Sequence, residues 1–352
     1  MPSNRRRRRT NDSFVVQQSF PVPRPTTNPY LVMLASSLDS IAGVTVRNFT
    51  WRGALLGSYD VFHVHWPEIL VAGHSPLKAL VRQALTVLLL LRLAVTRTPI
   101  VRTLHNLELP SGISGRERAL LRLFERQTDL FIRLNPETPV RDDRQYALIP
   151  HGHYRDWFAA YPQRESVEGR FVYFGLIRRY KGVDTLLDAF RQLPGDVSLH
   201  AAGRPSTVER ADDLRRRAAG DDRIDLTLEF LDDGRLVDTV TQASLVVLPY
   251  TEMHNSGGAL TALSLCRPVL LPANPVNERL NAEVGPGWVY QYHGALTPEV
   301  LATTLAEVAS RGPIAPPCLD AREWRAAGLL HYSAYLQATN AQAIRQLDAA
   351  RG

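Results

Sequence analysis

Cysteine is nearly missing from this chain, with Cys266 and Cys318 the two thiols in 352 residues. Two thiols build neither a disulfide framework nor a Cys-rich zinc site, so a reducing compartment is expected, the cytoplasm by default. No apolar stretch follows the arginines at 5–9, and no secretory signal is expected. Acids are missing between Glu68 and Glu108, where Lys78, Arg82, Arg92, Arg97 and Arg102 stand. The uncharged run inside that segment, 83–91, is nine residues long, short of the ~20 a bilayer span needs, so it does not read as a transmembrane helix. At ~100° per residue, Lys78, Arg82 and Arg92 fall within about 80° of one another, giving an amphipathic helix with a basic stripe and a broad Leu/Val face. Such a helix is either a core element with snorkelling cations or an interfacial membrane contact.

What is present fits a globular chain, 45% hydrophobic and 22% charged, and the length calls for two domains. Of the net charge of +6, the arginines at 5–9 and Arg24 against Asp12 place +5 in the first 28 residues, leaving the body at +1. A near-neutral body argues against a nucleic-acid binder. The basic tail, read as disordered over 1–28, is free for an anionic surface.

Short apolar runs then alternate with helical patterns, the mark of parallel-sheet α/β architecture. Residues 30–36 fit a strand or the start of a helix; 60–65, 100–104 and 130–134 read as strands and 114–128 as a helix. The stretch 135–169, rich in Pro, Gly, Asp and Arg, reads as a linker region. The pattern restarts with strands at 170–174, 197–202, 244–248 and 268–271 and helices at 182–192, 208–219, 258–266 and 298–310. Residues 320–350 read as helix, anchored by Trp324, Tyr332 and Tyr335. The expected domains are 29–160 and 161–315, each doubly wound and Rossmann-like and the two facing a cleft, with 316–352 folding back on the first.

Two strings carry the strongest chemical signal. Gly175 follows a strand, where α/β folds bind ligands; Arg178 can grip phosphate bidentately and Lys181 adds a point charge. In the second string, Glu252 and Asn255 precede Ser256, Gly257 and Gly258, small residues that open a helix and leave its amides free for an anion. Together they predict a diphosphate cradle. In the first half, His63, His65, Trp66 and Glu68 end one strand and His105 follows another. The His63/His65 spacing puts both imidazoles on one strand face, yet no Cys or Asp cluster completes a metal site, and the paired Asp residues read as solvated surface. His151-Gly152-His153-Tyr154 lies where the first domain ends and reads as a hinge.

The strand, Gly175, Arg178, Lys181 and the helix ending in Ala189-Phe190, followed by Leu248-Pro249-Tyr250 through Pro268-Val269, resemble the GT-B glycosyltransferases. The similarity is to the group holding the family-four retaining enzymes and bacterial exopolysaccharide transferases, over roughly residues 30–335. It implies that the second domain binds a nucleotide-diphosphate sugar, GDP-mannose or a UDP-sugar, through Gly175, Arg178, Lys181 and the 252–258 segment, with no metal and no cofactor beyond this co-substrate. It also implies that His105 lies near the donor sugar. Where retaining members carry two glutamates eight positions apart, this chain has Met253 and Thr261, with Glu252 one residue out of register and Glu278 a further candidate for the ribose. If transfer inverts the anomeric centre, a base must take the acceptor proton; Glu68 is the first candidate, then His105 and His65. The sequence leaves retention and inversion open.

The expected activity is transfer of a hexose to an acceptor that is either a saccharide or a polyprenyl-linked saccharide, the lipid-linked form being favoured, in polysaccharide or glycolipid synthesis. The expected place is the cytoplasmic side of an anionic membrane surface, bound peripherally. Two alternatives are an inactive nucleotide-sugar-binding regulator and a nucleotide-sugar epimerase.

Overall fold

The computed structural model describes residues 13–106, 109, 112–311 and 315–349; the arginines at 5–9 lie outside the described residues. The chain divides into two compact units, one formed by Met1–Pro150 with Trp324–Gly352 and the other by His151–Glu323. The boundaries thus fall at 150/151 and 323/324, where the sequence reading placed them at 160/161 and 315/316.

The first unit holds β1 (Phe14–Gln18), β2 (Val44–Arg47), β3 (Val61–Val64), β4 (Ile100–Leu104), β5 (Leu130–Arg133) and β6 (Gln145–Leu148) in one parallel sheet of order β2-β1-β3-β4-β5-β6. The expectation of a disordered tail to residue 28 is corrected here: β1 is an interior strand, with Val16 opposite Val61 and Gln18 opposite His63. Residues 30–36 belong to the helix Pro29–Asp39, which Asn28 caps by accepting from the Tyr30 amide at 3.0 Å. Tyr30, Leu34 and Leu38 from that helix join Val16, Ile132, Trp324 and Tyr335 in one buried cluster. Trp324 begins the helix Trp324–Ala349, which packs on Pro29–Asp39. The two helices approach closely because Gly328 faces Ser37, whose hydroxyl donates to the Trp324 carbonyl.

The helix Pro76–Thr96 is capped by Ser75 and ends at Arg97, whose left-handed backbone (φ 54°) stops it. Its 21 residues have a mean hydropathy of 1.7 in the most apolar window, making it the one helix among the described residues long and apolar enough to cross a membrane. Gln83, Thr86, Leu89, Leu90 and Leu93 face inward, while Leu77, Leu80, Val81, Leu88, Leu91 and Val95 form an outward row, each about half exposed or more. The expected basic stripe is drawn inward at two of its three positions. Arg82 donates to the Ala72 carbonyl at 2.8 Å, and Arg92 donates to the Gly57 carbonyl and lies over the Tyr59 ring.

The second unit holds β7 (Arg170–Phe174), β8 (Ser198–Ala202), β9 (Ile224–Thr227), β10 (Leu245–Val247), β11 (Val269–Pro272) and β12 (Val289–Tyr292), all parallel, in the order β12-β11-β10-β7-β8-β9. Its central strands are apolar on both faces, as a sheet covered by helices on each side requires; Val172, Val246 and Leu270 are all fully buried. In each sheet the strand order reverses next to the earliest strand, between β1 and β3 and between β7 and β10. Crevices at the carboxyl ends of such strands are where open α/β sheets take ligands. The expected linker 135–169 carries β6 and the short helix Arg155–Phe158.

Candidate functional site

In the second unit, the carboxyl ends of β7, β8 and β10 meet in a cradle shaped by three glycines. Gly175 (φ +108°) leaves β7 with its amide donating to the Ala202 carbonyl at 3.0 Å. Gly203 (φ +152°) comes so close that a Cβ on it would lie 1.8 Å from the Gly175 carbonyl oxygen, and a Cβ on Gly182 (φ +64°) would lie 2.2 Å from that of Pro249. Only glycine allows these backbones to touch. Arg178 stands exposed just before the 3-10 turn Arg179–Lys181. The Lys181 Nζ sits 3.6 Å from the centre of the Tyr250 ring, a cation–π contact. Burial, aided by the Arg178 charge, pulls its ammonium down to about 8. Thr251 donates from its amide to the Tyr180 carbonyl at 2.9 Å, binding the loop after β10 to that turn.

Ser256 caps the helix Gly257–Ser264, its hydroxyl oxygen accepting from the Ala259 amide at 3.1 Å. A Cβ on Gly258 would lie 3.3 Å from the Tyr250 hydroxyl, and one on Gly257 the same distance from the Tyr154 hydroxyl. Tyr250 therefore joins the two predicted strings, its ring under Lys181 and its hydroxyl facing Gly258. Lys181 and the first turn of this helix thus meet at Tyr250, with Arg178 exposed three residues before Lys181. Asn255 is half-buried at the mouth of the loop, and Glu252 is exposed while Met253 is buried. The Met253 sulfur lies 3.2 Å from the Asn277 side-chain nitrogen, and Glu278 is exposed one residue on. The 151–154 segment and the return crossing are joined: Arg322 makes paired bonds to Glu283 at 2.7 and 2.6 Å and donates to the His151 carbonyl at 3.1 Å. His153 bonds Glu323 at 3.0 Å.

In the first unit, the carboxyl ends of β1, β3 and β4 bring Gln18, His63, His65 and His105 together. His63 is fully buried, bonded at Nε2 to the Thr103 hydroxyl and at Nδ1 to the Tyr335 hydroxyl, both at 2.8 Å. His65 Nε2 meets the Gln18 side-chain oxygen and its Nδ1 meets His105 Nε2, both at 3.2 Å. An amide oxygen only accepts. His65 therefore carries its proton on Nε2, accepts at Nδ1, and fixes the His105 proton on Nε2. Burial, reinforced by the neighbouring imidazoles, holds His63 and His65 well below the usual range, so both are neutral near pH 7. His105, half-buried, stacks on Trp66 with centroids 4.0 Å apart and meets the edge of Tyr30. Glu68 opens the short helix Glu68–Val71; its Oε2 is sealed from solvent with no hydrogen-bond partner among the described residues, and its charge acts on Arg102.

The structure thus brings Gly175, Arg178, Lys181, Ser256, Gly257 and Gly258 into one cradle. It places Glu68, His65 and His105 in the other unit. Gln18, Gly203 and the bond from Tyr335 to His63 are not legible in the sequence. Gln18 lay in the expected tail, Tyr335 in a terminal helix read only as an anchor, and the need for glycine at 203 arises from contact with a residue 28 positions earlier.

No protein-family model matches the chain. It is 45% identical over 319 residues, 90% of each chain, to the GDP-mannose:glycolipid 4-β-D-mannosyltransferase of Xanthomonas campestris pv. campestris. Among solved structures, sucrose-phosphate synthase from Thermosynechococcus elongatus covers 96% of this chain and 100% of its own at 16% identity, with a TM-score of 0.58. Anabaena HepE, solved in complex with UDP, covers the same shares at 14% identity and a TM-score of 0.58. These two share the fold. A putative UDP-N-acetylglucosamine 2-epimerase from Listeria monocytogenes shares it too, at a TM-score of 0.53 and 13% identity, so architecture alone does not separate transfer from epimerisation. The relative that matches along nine-tenths of both sequences does, and the chain belongs to the GT-B glycosyltransferases, in the family of the Xanthomonas glycolipid mannosyltransferase.

Proposed function

We propose that this enzyme transfers mannose from GDP-mannose to the sugar of a lipid-linked saccharide, without a metal, at the cytoplasmic face of a membrane to which it binds peripherally. The observation that carries this reading is the 45% identity along 90% of a transferase with that donor and a glycolipid acceptor in its name. Lys181, Arg178 and the amides of Gly257 and Gly258 take the diphosphate, and Asn255, Ser256 and Glu252 line the donor's approach. A β bond made from α-linked GDP-mannose inverts the anomeric carbon. The acceptor oxygen attacks that carbon, the bond to the diphosphate breaks, GDP leaves with the electron pair, and the acceptor proton passes to a base. Glu68 serves as that base: it follows β3 two residues after Trp66, and its Oε2 has no proton donor among the described residues. His105 hydrogen-bonds the reacting sugar, and His65 with Gln18 acts as its positioning pair. Met253 and Thr261 at the places of the retaining glutamates fit this course, since inversion needs no carboxylate there.

A thermal-shift series tests the donor site, because a ligand bound to the native state raises the melting temperature by mass action. GDP shifts the wild type, and the shift disappears in Lys181→Ala. Glu68→Gln keeps the GDP shift and loses about 10²–10⁴-fold in mannose transfer. A shift by UDP in place of GDP would reassign the donor, and full turnover in Glu68→Gln would remove it as the base.

A further inference from the structure

Lysine stands at two positions in this chain, Lys78 and Lys181, while 39 of its 41 Lys and Arg side chains are arginine. Lys78 is exposed in the first turn of the helix Pro76–Thr96. Lys181 stands where an amine behaves unlike a guanidinium. Arginine stays charged at any working pH, whereas a desolvated lysine gives up its proton and becomes a nucleophile, most readily beside a second cation. The surroundings of Lys181 meet both conditions. Its Nζ lies 3.6 Å from the centre of the Tyr250 ring and 5.6 Å from that of Tyr180. Arg178 adds a like charge, and no carboxylate among the described residues acts against it; the nearest acid along the chain, Asp184, bonds Arg210 at 2.9 Å instead. With the ammonium pulled down to about 8, about a tenth of these amines are neutral at pH 7. The backbone that carries the amine is fixed on both sides. Gly182 rests against the Pro249 carbonyl, and Thr251 donates to the Tyr180 carbonyl from its amide at 2.9 Å and from its hydroxyl at 3.2 Å.

A nucleophilic amine in this setting selects an electrophile that carries phosphate. Arg178 and the first turn of the helix Gly257–Ser264, which meets Tyr250 at Gly258, both attract phosphate oxygens. An acyl phosphate places a reactive carbonyl carbon one oxygen away from its phosphorus. We propose that Lys181 is a modification site, acylated at Nζ by acyl phosphates, and that acylation shuts the cradle to the donor. The neutral amine attacks the acyl carbon. A C–N bond forms, the C–O bond to phosphate breaks, phosphate leaves with the electron pair, and the nitrogen gives its extra proton to water. The amide that results has no charge to offer a diphosphate and no cation to set over Tyr250. The acylation site stands on the surroundings of the amine alone; its effect on the donor rests on the transferase reading above, in which Lys181 holds the diphosphate.

The probe is acetyl phosphate, incubated with the full wild-type chain and followed by mass spectrometry of peptides cut at arginine, with Lys78 as the internal reference. Lys181 should be acetylated at least about tenfold faster than Lys78, and GDP should protect Lys181 alone. Inorganic phosphate should slow this reaction more than it slows the reaction of Lys181 with N-hydroxysuccinimidyl acetate, which carries no phosphate. After treatment the wild type should lose its thermal shift with GDP, and so should Lys78→Arg, whereas Lys181→Arg should keep it. Equal rates at the two lysines, no acetylation of Lys181, or equal slowing of both reagents by phosphate would overturn the modification site. A GDP shift that survives complete acetylation of Lys181 would overturn the shut cradle. Failure of the transferase reading would appear elsewhere, as an absent nucleotide shift in the untreated protein, while the rates at the two lysines are read by mass without any nucleotide.

Discussion

Lys181, proposed above to hold the donor diphosphate, sits in a position that disfavours its charge. Its ammonium titrates near 8 in the folded chain against 10.5 when unperturbed, chiefly through burial. Below pH 8 it is protonated in both folded and unfolded chains. Between about 8 and 10.5 the unfolded chain binds more protons, so this group makes folding stability rise with pH. Donor binding goes the other way, since the neutral amine no longer meets the diphosphate. The affinity for GDP should fall by up to about tenfold per pH unit above pH 8, and Lys181→Arg, which stays charged, should flatten the profile. Calorimetric titrations from pH 7 to 9.5 check this; a parallel decline in the arginine variant would assign it to another group. At this scale, the residues readable in advance were those whose chemistry is written locally: Arg178 three positions before Lys181, and Ser256 before two glycines. Gln18, Tyr335 and Gly203 act through partners distant in sequence, which no local string discloses.

Among the elements, Pro76–Thr96 shows two faces with different owners. Its inner side chains belong to the core of the first unit, and its outer row has no partner within the described residues of its own chain. If that row enters the surface of a bilayer, charge placed on it should abolish the attachment without harming the fold. Leu88→Lys with Leu91→Lys is therefore expected to lose flotation with anionic vesicles while its melting temperature stays within a few degrees of the wild type, because both side chains are more than half exposed. Undiminished flotation would move the contact to the arginines at 5–9. The helix itself was legible from its period, whereas the destination of Arg82 and Arg92 was not, because it depends on carbonyls supplied by residues 57 and 72. β1 was overlooked for a related reason. Two glutamines at its end look like solvent-facing residues, yet both are buried, and the Gln17 side chain donates to the carbonyls of Arg47 and Asn48 at 3.2 and 3.0 Å. β6, polar and largely exposed at the sheet edge, carries too little apolar periodicity to stand out from the loop before it.

For the molecule as a whole, the doubly wound character of both halves was readable because alternating apolar runs and helical patterns survive loss of detail. The boundary positions depend on tertiary contacts, and no compositional change marks 323/324. Trp324, 6% exposed and edge-on to Tyr30 with centroids 5.4 Å apart, fastens the last helix to the first unit. Trp324→Ala should cost about 3–5 kcal/mol, all of it charged to the first unit. Calorimetry should show one transition moving down and another, raised by GDP, staying in place; a common shift of both would mean that the two units melt as one.

The first unit also has an order of assembly written into it. On the ribosome, the 173 residues of His151–Glu323 emerge as an unbroken stretch that can fold as soon as it is complete. Its neighbour begins earlier and finishes later. Until Trp324–Ala349 is synthesised, the helix Pro29–Asp39 lacks the part of its cover that Trp324 and Tyr335 supply, and Tyr30, which meets Trp324 edge-on, remains open to solvent or to a chaperone. The half that is translated first is the half that matures last, so truncated products of this chain would carry a finished second unit and an unfinished, adhesive first one.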